Sequence, residues 1–432
     1  MSGLILNIVR EHKAGNPVGI YSVCSANRFV LEASMFHAKE HNKFLLIEAT
    51  SNQVDQFGGY TGLTPSMFRD MVKEIANSVD YPSDKIVLGG DHLGPNVWQS
   101  ENSDTAMKKA EEQIKEYVKA GFTKIHLDTS MACADDKVDE ATKMLSPKII
   151  TERAARLCKA AEEVSNSNKP VYVIGTDVPI PGGALEKLEN IRITKKEEVE
   201  ETISLTKNAY DNLGLSDAWE RTIAVVVQPG VEFSDSEVAN YDRSKAGELI
   251  SKINGYDNFV YEAHSTDFQP KQSLREMVED HFMILKVGPW LTFALREAVF
   301  ALSEIEEEIL AFKKSITLSN IKDTLENEML TNPKYWKKHY TGAASELAFA
   351  RKYSFSDRIR YYWSNNSVKN SLDQLLNNLT RQVIPLNLVS QYLPDEYEAV
   401  IEGRIYNSPT SLIHHKIQRV LNKYSYAVNG GK

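Results

Sequence analysis

The sequence predicts an α/β protein, a (β/α)8 TIM barrel with a helical extension at its carboxyl end. Eight short apolar runs recur along the chain, and a charged stretch with helical periodicity follows each of them. The runs are continuous rather than alternating, which is typical of parallel strands that helices cover on both faces. Eight such units without interruption favour a closed barrel. A doubly wound open sheet is the alternative, because counting strands does not reveal closure.

The predicted strands are short and rich in β-branched residues. In chain order they are VGIYSVCS (18–25), FLLIEAT (44–50), KIVLGGDH (85–92), TKIHLDTS (123–130), PVYVIGTDV (170–178), TIAVVVQPG (222–230), NFVYEAHST (258–266) and FMILKVGP (282–289).

Helix signals lie between these strands. Thr64 is a predicted N-cap, and Pro65 takes the first position of the helix that follows it. Ser103 or Asp104 is predicted to cap the helix that Gly121 stops. The amino-terminal segment MSGLILNIVREHKAG is interpreted as a helix packed on the domain, since no cleavage-site pattern follows its short apolar run.

Beyond residue 300 the pattern changes to long helical segments such as EIEEEILAFKK and SLDQLLNNLTRQ. We therefore divide the chain into a barrel over residues 1–300 and a helical extension over residues 301–432 that packs on it. Three aromatic side chains of the extension are interpreted as packing residues rather than a sugar-stacking platform: Tyr361, Tyr362 and Trp363. Three arginines are interpreted as a solvated helix face, with phosphate contacts as the alternative: Arg351, Arg358 and Arg360.

The composition is that of an ordinary soluble enzyme, with 42% hydrophobic and 25% charged residues in 432. A net charge of −9 argues against a nucleic acid or an anionic membrane as the main partner. No uncharged apolar run is long enough to predict a spanning helix. The three cysteines, Cys24, Cys133 and Cys158, are odd in number and widely spaced, which favours reduced thiols and a cytoplasmic location.

The most informative motif is GGDHLGPN, residues 89–96, which places Asp91 and His92 side by side where a strand breaks into a loop. A neutral imidazole can bind a divalent cation while a neighbouring carboxylate moves a proton. The alternative is a buried acid–histidine pair that orders a turn.

Polar side chains follow the other predicted strands as well. Barrel enzymes place their active sites at this carboxyl face, and buried charge is costly unless it is paired or bound, so these side chains predict one pocket. They are Glu48, Thr50, Ser51, Asn52, Gln53, Asp91, His92, His126, Asp128, Thr176, Asp177, Gln228, Glu262, His264, Ser265, Thr266, Asp267, Lys286 and Gly288.

Within this ring we predict a divalent metal, zinc with manganese as the alternative, bound by His92 and His264. Catalytic zinc sites usually have three protein ligands, so a third is needed. The candidates are Asp128, Glu262 and Glu232, of which Asp128 is chosen. His126 alternates with Asp128 along its strand and either faces the same way or is a hydrogen-bonded core histidine.

The predicted catalytic carboxylates are Asp91, Asp128 and Glu262. The predicted substrate and phosphate contacts are Glu48, Asn52, Gln53, Ser265, Thr266, Asp267, Lys286 and Gly288. Lys286 either pairs with a phosphate or lies deep in the barrel as the partner of Glu262. The loop FGGYTG, residues 57–62, is either a lid over the pocket or a simple turn.

Six segments together resemble the Z subunits of tagatose-bisphosphate aldolase, the GatZ and KbaZ family. They are IEATSNQVDQFGGYTG, GGDHLGPNVWQ, KIHLDTSM, IGTDVPIPGG, YEAHSTDFQ and ILKVGPWLTFALREAVFAL. The resemblance implies a barrel of the class II aldolase type that acts on tagatose or its phosphates in galactitol or N-acetylgalactosamine catabolism, often with a smaller catalytic Y subunit. Members have also been called tagatose-6-phosphate kinases, but no phosphate-binding loop motif follows any predicted strand here.

By the same resemblance, Asp91 would transfer a proton and His92 and His264 would hold zinc. Two departures stand out: no histidine lies near Gln228, where class II aldolases have a metal ligand on the strand before His264, and residues 176–179 read TDVP where the family shows TEVP.

Three functions therefore compete. The first is the aldolase Z subunit, and the second is an autonomous metal-dependent 4-epimerase of a ketohexose or ketohexose phosphate. The third is a sugar-phosphate-binding or chaperone-like subunit without chemistry. A homo-oligomer is expected in each case.

Overall fold

The computed structural model describes residues 2–140, 142, 144–175, 188 and 191–431. Eight parallel strands close into a barrel in the order β1-β2-β3-β4-β5-β6-β9-β10, which confirms the predicted fold. The strands of the barrel are β1 (Ile20–Val23), β2 (Leu45–Thr50), β3 (Ile86–Leu93), β4 (Lys124–Leu127), β5 (Val171–Ile174), β6 (Thr222–Val227), β9 (Val260–Ala263) and β10 (Phe282–Val287).

Helices connect these strands and form the outer layer. In the barrel region they are α1 (Ser2–Lys13), α2 (Arg28–Glu40), α3 (Pro65–Ser78), α4 (Ser103–Lys119), α5 (Pro147–Val164), α6 (Lys196–Asn212), α7 (Ser216–Trp219), α8 (Gly247–Ile253), α9 (Lys271–Glu279) and α10 (Pro289–Leu310). A short antiparallel hairpin that the sequence did not predict, β7 (Glu232–Phe233) with β8 (Val238–Ala239), lies between β6 and β9.

Local signals at the helix ends explain where the helices begin. The Thr64 hydroxyl accepts a hydrogen bond from the amide of Met67, which confirms Thr64 as the N-cap of α3. The prediction for α4, Ser103 or Asp104, was one or two positions late, because Asn102 is the N-cap and its side chain accepts from the Thr105 amide. Gly121, with φ of 92°, follows the end of that helix as predicted.

The amino-terminal helix α1 closes the bottom of the barrel. Its Ile5 and Val9 are buried and pack with inward-pointing residues of several strands, including Leu46, Val87 and Ile284. Covering this apolar end removes it from water and leaves the opposite, carboxyl end as the entrance.

The last helices wrap the side and the mouth of the barrel. They are α11 (Ile321–Thr331), α12 (Ala344–Tyr353), α13 (Asn366–Thr380), α14 (Leu386–Tyr392), α15 (Pro394–Ile401) and α16 (Pro409–Val428). The segment EIEEEILAFKK, predicted as part of the extension, instead belongs mainly to α10, which runs on to Leu310. The closing helix α16 packs against α2, α9 and α10, and the Tyr424 hydroxyl donates to the Thr266 carbonyl.

All eight predicted strands are present, but seven of them are shorter than the apolar runs that predicted them. Asp128, Gln228 and His264 lie just beyond their strands, in the loops over the mouth, whereas other polar residues of the ring, such as Glu48 and Asp91, are still within strands. Among the described residues, no helix is long and apolar enough to cross a membrane.

Candidate metal and active site

A bulge in β3 brings Asp91 and His92 to the same place. Neighbouring residues of a regular strand point to opposite faces of the sheet. Here the register between β3 and β4 shifts between Gly90 and Leu93, and His92 has a left-handed backbone with φ of 49°. Both side chains therefore reach the barrel mouth, and such strain in a non-glycine residue is typical of functional sites.

Gly94 allows the chain to leave this bulge. A Cβ atom at Gly94 would lie 1.7 Å from the carbonyl oxygen of Asp128. Only a glycine therefore allows the backbone at the end of β4 to approach this closely. The amide of Asp128 in turn donates to the carbonyl of Leu93 at 2.9 Å. The GGDHLG motif thus fixes His92 and Asp128 against each other.

Four buried side chains offer ligand atoms that all lie within 4.8 Å of one another: Asp91, His92, His126 and His264. The three imidazoles come from β3, β4 and the loop after β9, and their ring centroids are 4.7 to 5.1 Å apart. Three imidazoles with one carboxylate form a donor set that suits zinc.

Two of the imidazoles are oriented by carboxylates. His92 Nδ1 lies 2.8 Å from Asp128 Oδ2, and His264 Nε2 lies 3.0 Å from Glu262 Oε1. Burial raises the pKa of both carboxyls, but neighbouring cations and histidines outweigh it and hold the two groups ionised. An ionised carboxylate only accepts hydrogen bonds, so each of these ring nitrogens carries a proton.

The remaining nitrogens of the two rings face each other. His92 Nε2 and His264 Nδ1 are 3.1 Å apart, and in the neutral imidazoles both present a lone pair. Such a contact requires a shared proton or a cation beside it. Asp91 and Asp128 raise the pKa of His92 despite its burial, whereas burial lowers the pKa of His264 to about 3. The two facing lone pairs, on His92 Nε2 and His264 Nδ1, therefore fit a bound cation.

The predicted third ligand, Asp128, lies outside the group of four. His126, not Asp128, lies in the group of four, with its Nδ1 at 3.1 Å from both the amide nitrogen of His92 and Asp91 Oδ1. Its Nε2 is buried without a hydrogen-bond partner among the described residues. Asp128 follows the end of β4 and holds His92 instead. Neither Glu262 nor Glu232, the other candidates, belongs to the group of four.

A buried ion-pair network lies directly beneath this cluster. Lys286 Nζ is 2.6 Å from Glu48, 2.7 Å from Asp91 and 3.4 Å from Glu262. Lys124 Nζ completes it, at 2.7 Å from Glu48 and 2.6 Å from Glu262. The alternative that placed Lys286 deep in the barrel beside Glu262 therefore describes this structure. Lys124 was missed, although it alternates with His126 along β4 and must share its inward face.

A cavity opens above the cluster at the barrel mouth. Many predicted contact residues lie on its wall: Asn52, Gln53, Asp91, His92, His264, Ser265, Asp267, Lys286 and Gly288. The wall also includes Tyr60 of the loop at 57–62, Arg360 and Tyr361 of the extension, and Cys24, Phe233 and Pro289. Those from the extension and from the loop at 57–62 had no local signal, because only the tertiary fold brings them there.

Two predicted contacts do not reach this wall. Glu48 is fully buried in the ion-pair network below, and the Thr266 hydroxyl donates to the carbonyl of Lys286 at 2.5 Å. The amide of Gly288 is also engaged, since it donates to Asp267 Oδ1 at 3.0 Å. Thr176 and Asp177 lie outside the described residues.

The loop at 57–62 is a tight turn. Asp55 Oδ1 accepts from the amides of Phe57 and Gly59, and a Cβ at Gly59 would lie 2.4 Å from the carbonyl oxygen of Gln53. This turn places Tyr60 on the cavity wall, 4.7 Å from Tyr361 between ring centroids. A lid function for it stays a prediction.

The arginines of the extension were predicted to form a solvated helix face, but Arg351 and Arg358 are buried. Arg351 lies on α12, where it contacts Glu326 and is 6% exposed. Arg358 is 4% exposed because residues Arg358–Tyr362 form a 3₁₀ segment packed against the barrel mouth. Helical periodicity does not describe such a segment. Arg360 and Tyr361 of this segment line the cavity, whereas Tyr362 is fully buried as predicted for a packing residue.

Two carboxyl groups near the rim have raised pKa values because they are buried. The pKa of Glu232 rises to about 7, and that of Asp267 rises to about 6 although two backbone amides donate to it. These two amide bonds, from Gly288 at 3.0 Å and from Trp290 at 2.8 Å, connect Asp267 to the start of α10 and fix it there.

The chain is similar to proteins of one family over almost its whole length. A family model for D-tagatose-1,6-bisphosphate aldolase subunit GatZ/KbaZ-like proteins matches residues 5–429. The crystal structure of a probable tagatose 6 phosphate kinase from Sinorhizobium meliloti 1021 is 41% identical, with a TM-score of 0.87, and the match covers 95% of this chain and 100% of that one.

More distant similarity reaches two other solved structures. The fructose-bisphosphate aldolase (Fba) from Campylobacter jejuni is 12% identical, with a TM-score of 0.44 over 86% of this chain and 91% of that one. The YdjI aldolase from Escherichia coli K12 is 11% identical, with a TM-score of 0.41 over 84% and 98%. The extent of the family match confirms the resemblance found in the sequence: the chain belongs to the GatZ/KbaZ-like family of D-tagatose-1,6-bisphosphate aldolase subunits.

Proposed function

We propose that this chain acts on the C3–C4 bond of a ketohexose phosphate as the Z-type subunit of D-tagatose-1,6-bisphosphate aldolase, in tagatose, galactitol or N-acetylgalactosamine catabolism. The observation that carries the proposal is the convergence of three imidazoles and Asp91 at the mouth of the barrel. A purely structural subunit has no need of four ionisable side chains that are buried together, since such burial is costly unless the groups are bound or paired.

His92, His126 and His264 would hold a divalent cation, zinc with manganese as the alternative. When bound, the cation supplies Lewis acidity toward the C2 carbonyl oxygen of the ketose. Asp128 and Glu262 keep two of these rings in the tautomers that leave a lone pair for the cation. These two carboxylates, predicted as catalytic, are thus positioning residues in this proposal.

Asp91 is the group that moves the proton. Burial raises its pKa, but Lys286 and His92 outweigh burial and keep the pKa well below the ordinary value. Asp91 is therefore ionised and accepts the proton of the C4 hydroxyl. The C4 oxygen then forms a carbonyl, the C3–C4 bond breaks, and its electron pair passes to C3 to give an enediolate over C2 and C3. Return of the proton and re-closure of the bond is the aldol condensation.

Residues around the cavity bind and enclose the sugar. Asn52, Gln53 and Ser265 offer polar groups for hydroxyls, and Tyr60 and Tyr361 cover the mouth. Closing the site in this way keeps water from the reactive enediolate.

The test is to purify the chain alone and incubate it with zinc or manganese and either tagatose 1,6-bisphosphate or fructose 6-phosphate. Release of triose phosphate from the bisphosphate supports the aldolase reaction, and a larger rate on adding the smaller Y subunit supports the Z-type role. Formation of a C4-inverted ketose without triose would instead assign the 4-epimerase. Absence of turnover with and without the Y subunit would overturn both catalytic readings.

A zinc-binding experiment tests the proposed metal site directly. His92→Ala removes one imidazole and leaves Asp128 unpaired, so we expect stoichiometric zinc binding to be lost. His415→Ala, on the outer helix α16, removes a histidine far from the cluster in sequence and serves as the matched control. Full zinc binding by folded His92→Ala would exclude this site as the metal centre.

A further inference from the structure

Two arginines of the helical extension lie over the barrel mouth without a carboxylate partner. They are Arg358 and Arg360, which flank Ile359 in the 3₁₀ segment and precede Tyr361. Within the described residues, no carboxylate oxygen lies within 4.0 Å of either guanidinium group. Three other buried arginines are paired with carboxylates: Arg351 with Glu326, Arg153 with Asp136 and Arg275 with Glu279. Buried Arg296 also has no carboxylate within 4.0 Å among the described residues, but it packs over the rings of Phe293 and Phe300 and lines neither lobe of the mouth.

Arg360 faces the cavity above the histidine cluster. Its Nη1 donates to the carbonyls of Ser356 and Asp357, and its Nη2 donates to the Tyr361 hydroxyl at 3.0 Å. These contacts hold the side chain in place, while the opposite charges that act on it, those of Asp267 and Asp357, do so from beyond ion-pair distance. The same guanidinium also borders a second cavity that continues outward past Tyr60 toward Lys369.

Arg358 faces a separate lobe of the mouth. Its Nη1 donates to the carbonyl of Tyr335 at 3.1 Å, while its Nε is buried and has no hydrogen-bond partner in the part of the chain that the structure describes. This lobe is lined by Asn96, Gln99 and His339, and it shares His92 with the main cavity. The two lobes share His92 and Tyr361, so each arginine lines a different lobe next to the histidine cluster.

The electrostatics of the segment are those of an anion site. Burying a charged group without an opposite charge is unfavourable, and a guanidinium fork matches phosphate oxygens well. Tyr361 responds to the excess positive charge, since Arg360 and Arg358 lower its pKa although burial raises it. The ring of Tyr335 stacks on that of Tyr361 at 4.8 Å between centroids, so Tyr361 is firmly packed.

We propose that Arg358 and Arg360 are the phosphate-binding residues of this site, each receiving one phosphate group in its own lobe. The helical extension thereby completes the substrate site of the barrel rather than only packing on it. The identity of the sugar rests on the proposed function, whereas the binding of phosphate by these two residues does not.

The test measures binding of inorganic phosphate to the purified chain by calorimetry. We expect two phosphates per chain in the wild type. Arg360→Gln and Arg358→Gln are each expected to weaken one of the two by about 10-fold or more, the usual loss for a charge-assisted contact. Arg351→Gln, an arginine of the same extension already paired with Glu326, is the matched control and is expected to retain both.

Because Arg358 is buried, Arg358→Lys is a second variant that keeps the charge and loses the fork; it is expected to give an intermediate affinity. Fructose 6-phosphate and fructose are compared in the same way, and the preference for the phosphorylated sugar is expected to shrink in Arg360→Gln or in Arg358→Gln. Unchanged phosphate affinity in both folded glutamine variants, or no phosphate binding by the wild type, would overturn the inference.

These outcomes are separable from those of the proposed function. Zinc affinity is expected to be the same in the arginine variants as in the wild type. Phosphate binding that depends on the arginines in a chain without turnover retains this inference and counts against the proposed function. Turnover that does not depend on either arginine supports the proposed function and counts against this inference.

Discussion

His92 Nδ1 and Asp128 Oδ2 form a buried contact of 2.8 Å that joins the ends of two neighbouring barrel strands. Ser130 fixes the other carboxylate oxygen of Asp128, through its amide at 3.1 Å and its hydroxyl at 2.7 Å. The carboxylate therefore cannot rotate freely, and it sets the tautomer of His92. Asp128, predicted as a metal ligand, is in this structure the hydrogen-bond partner of His92.

This relationship predicts the behaviour of Asp128→Asn. The asparagine carbonyl can keep the bonds from Ser130, and its amide group would then donate to His92 Nδ1. That would move the ring proton to Nε2, the nitrogen that faces the cluster. We expect zinc affinity to fall by about 10- to 100-fold, measured by competition with a chromophoric chelator.

Asp104→Asn, at an exposed aspartate near the start of α4, is the matched control and is expected to bind zinc like the wild type. Equal zinc affinity in folded Asp128→Asn and in this control would show that Asp128 does not orient His92.

The ion-pair network below the cluster predicts a large effect on stability. Lys124 is fully buried between Glu48 and Glu262, so Lys124→Met leaves excess negative charge in the barrel. Removing one partner of a buried ion pair usually costs about 3–5 kcal/mol, and we expect a loss of this size in denaturant unfolding. Adding Glu48→Gln to this variant should recover part of the loss, because it restores the balance of charge.

Lys108→Met is the control on the surface, where an exposed lysine pairs with an exposed aspartate. Its unfolding midpoint should match that of the wild type. A loss of stability in Lys124→Met no larger than in Lys108→Met would contradict a structural role for the network.

The sequence was sufficient for the barrel because each strand is a continuous apolar run, and the polar residues after these runs marked the functional end. It was not sufficient to tell which side chains converge with Asp91, His92 and His264. Asp128 and His126 alternate along the sequence, but β4 ends at Leu127, so the alternation no longer describes where Asp128 points. The bulge at His92 has no signature in the sequence, since its backbone is held by contacts with β4 rather than by a glycine.

The mouth was harder to predict for a related reason. Arg358 and Arg360 approach the site through tertiary packing of a 3₁₀ segment that is distant in the chain from every strand. Their arrangement depends on stacking between Tyr335 and Tyr361, which no local pattern reports. Sequence periodicity therefore described the scaffold, and long-range packing decided which side chains complete the site.

Asp357, at the start of that 3₁₀ segment, predicts a pH dependence of stability. It is 3% exposed and accepts a hydrogen bond from the Thr292 hydroxyl at 2.6 Å, and burial raises its pKa from 3.8 to about 7. Between these two values the folded state binds a proton that the unfolded state releases. Stability is therefore highest below pH 3.8 with respect to this group, and it falls as the pH rises toward 7, by up to about 4 kcal/mol.

Asp357→Asn removes this titration, and asparagine tolerates the left-handed backbone with φ of 45°. Guanidinium unfolding at several pH values between 4.5 and 7.5 should thus show the variant gaining stability over the wild type as the pH rises, and a difference that does not vary with pH would contradict the assignment.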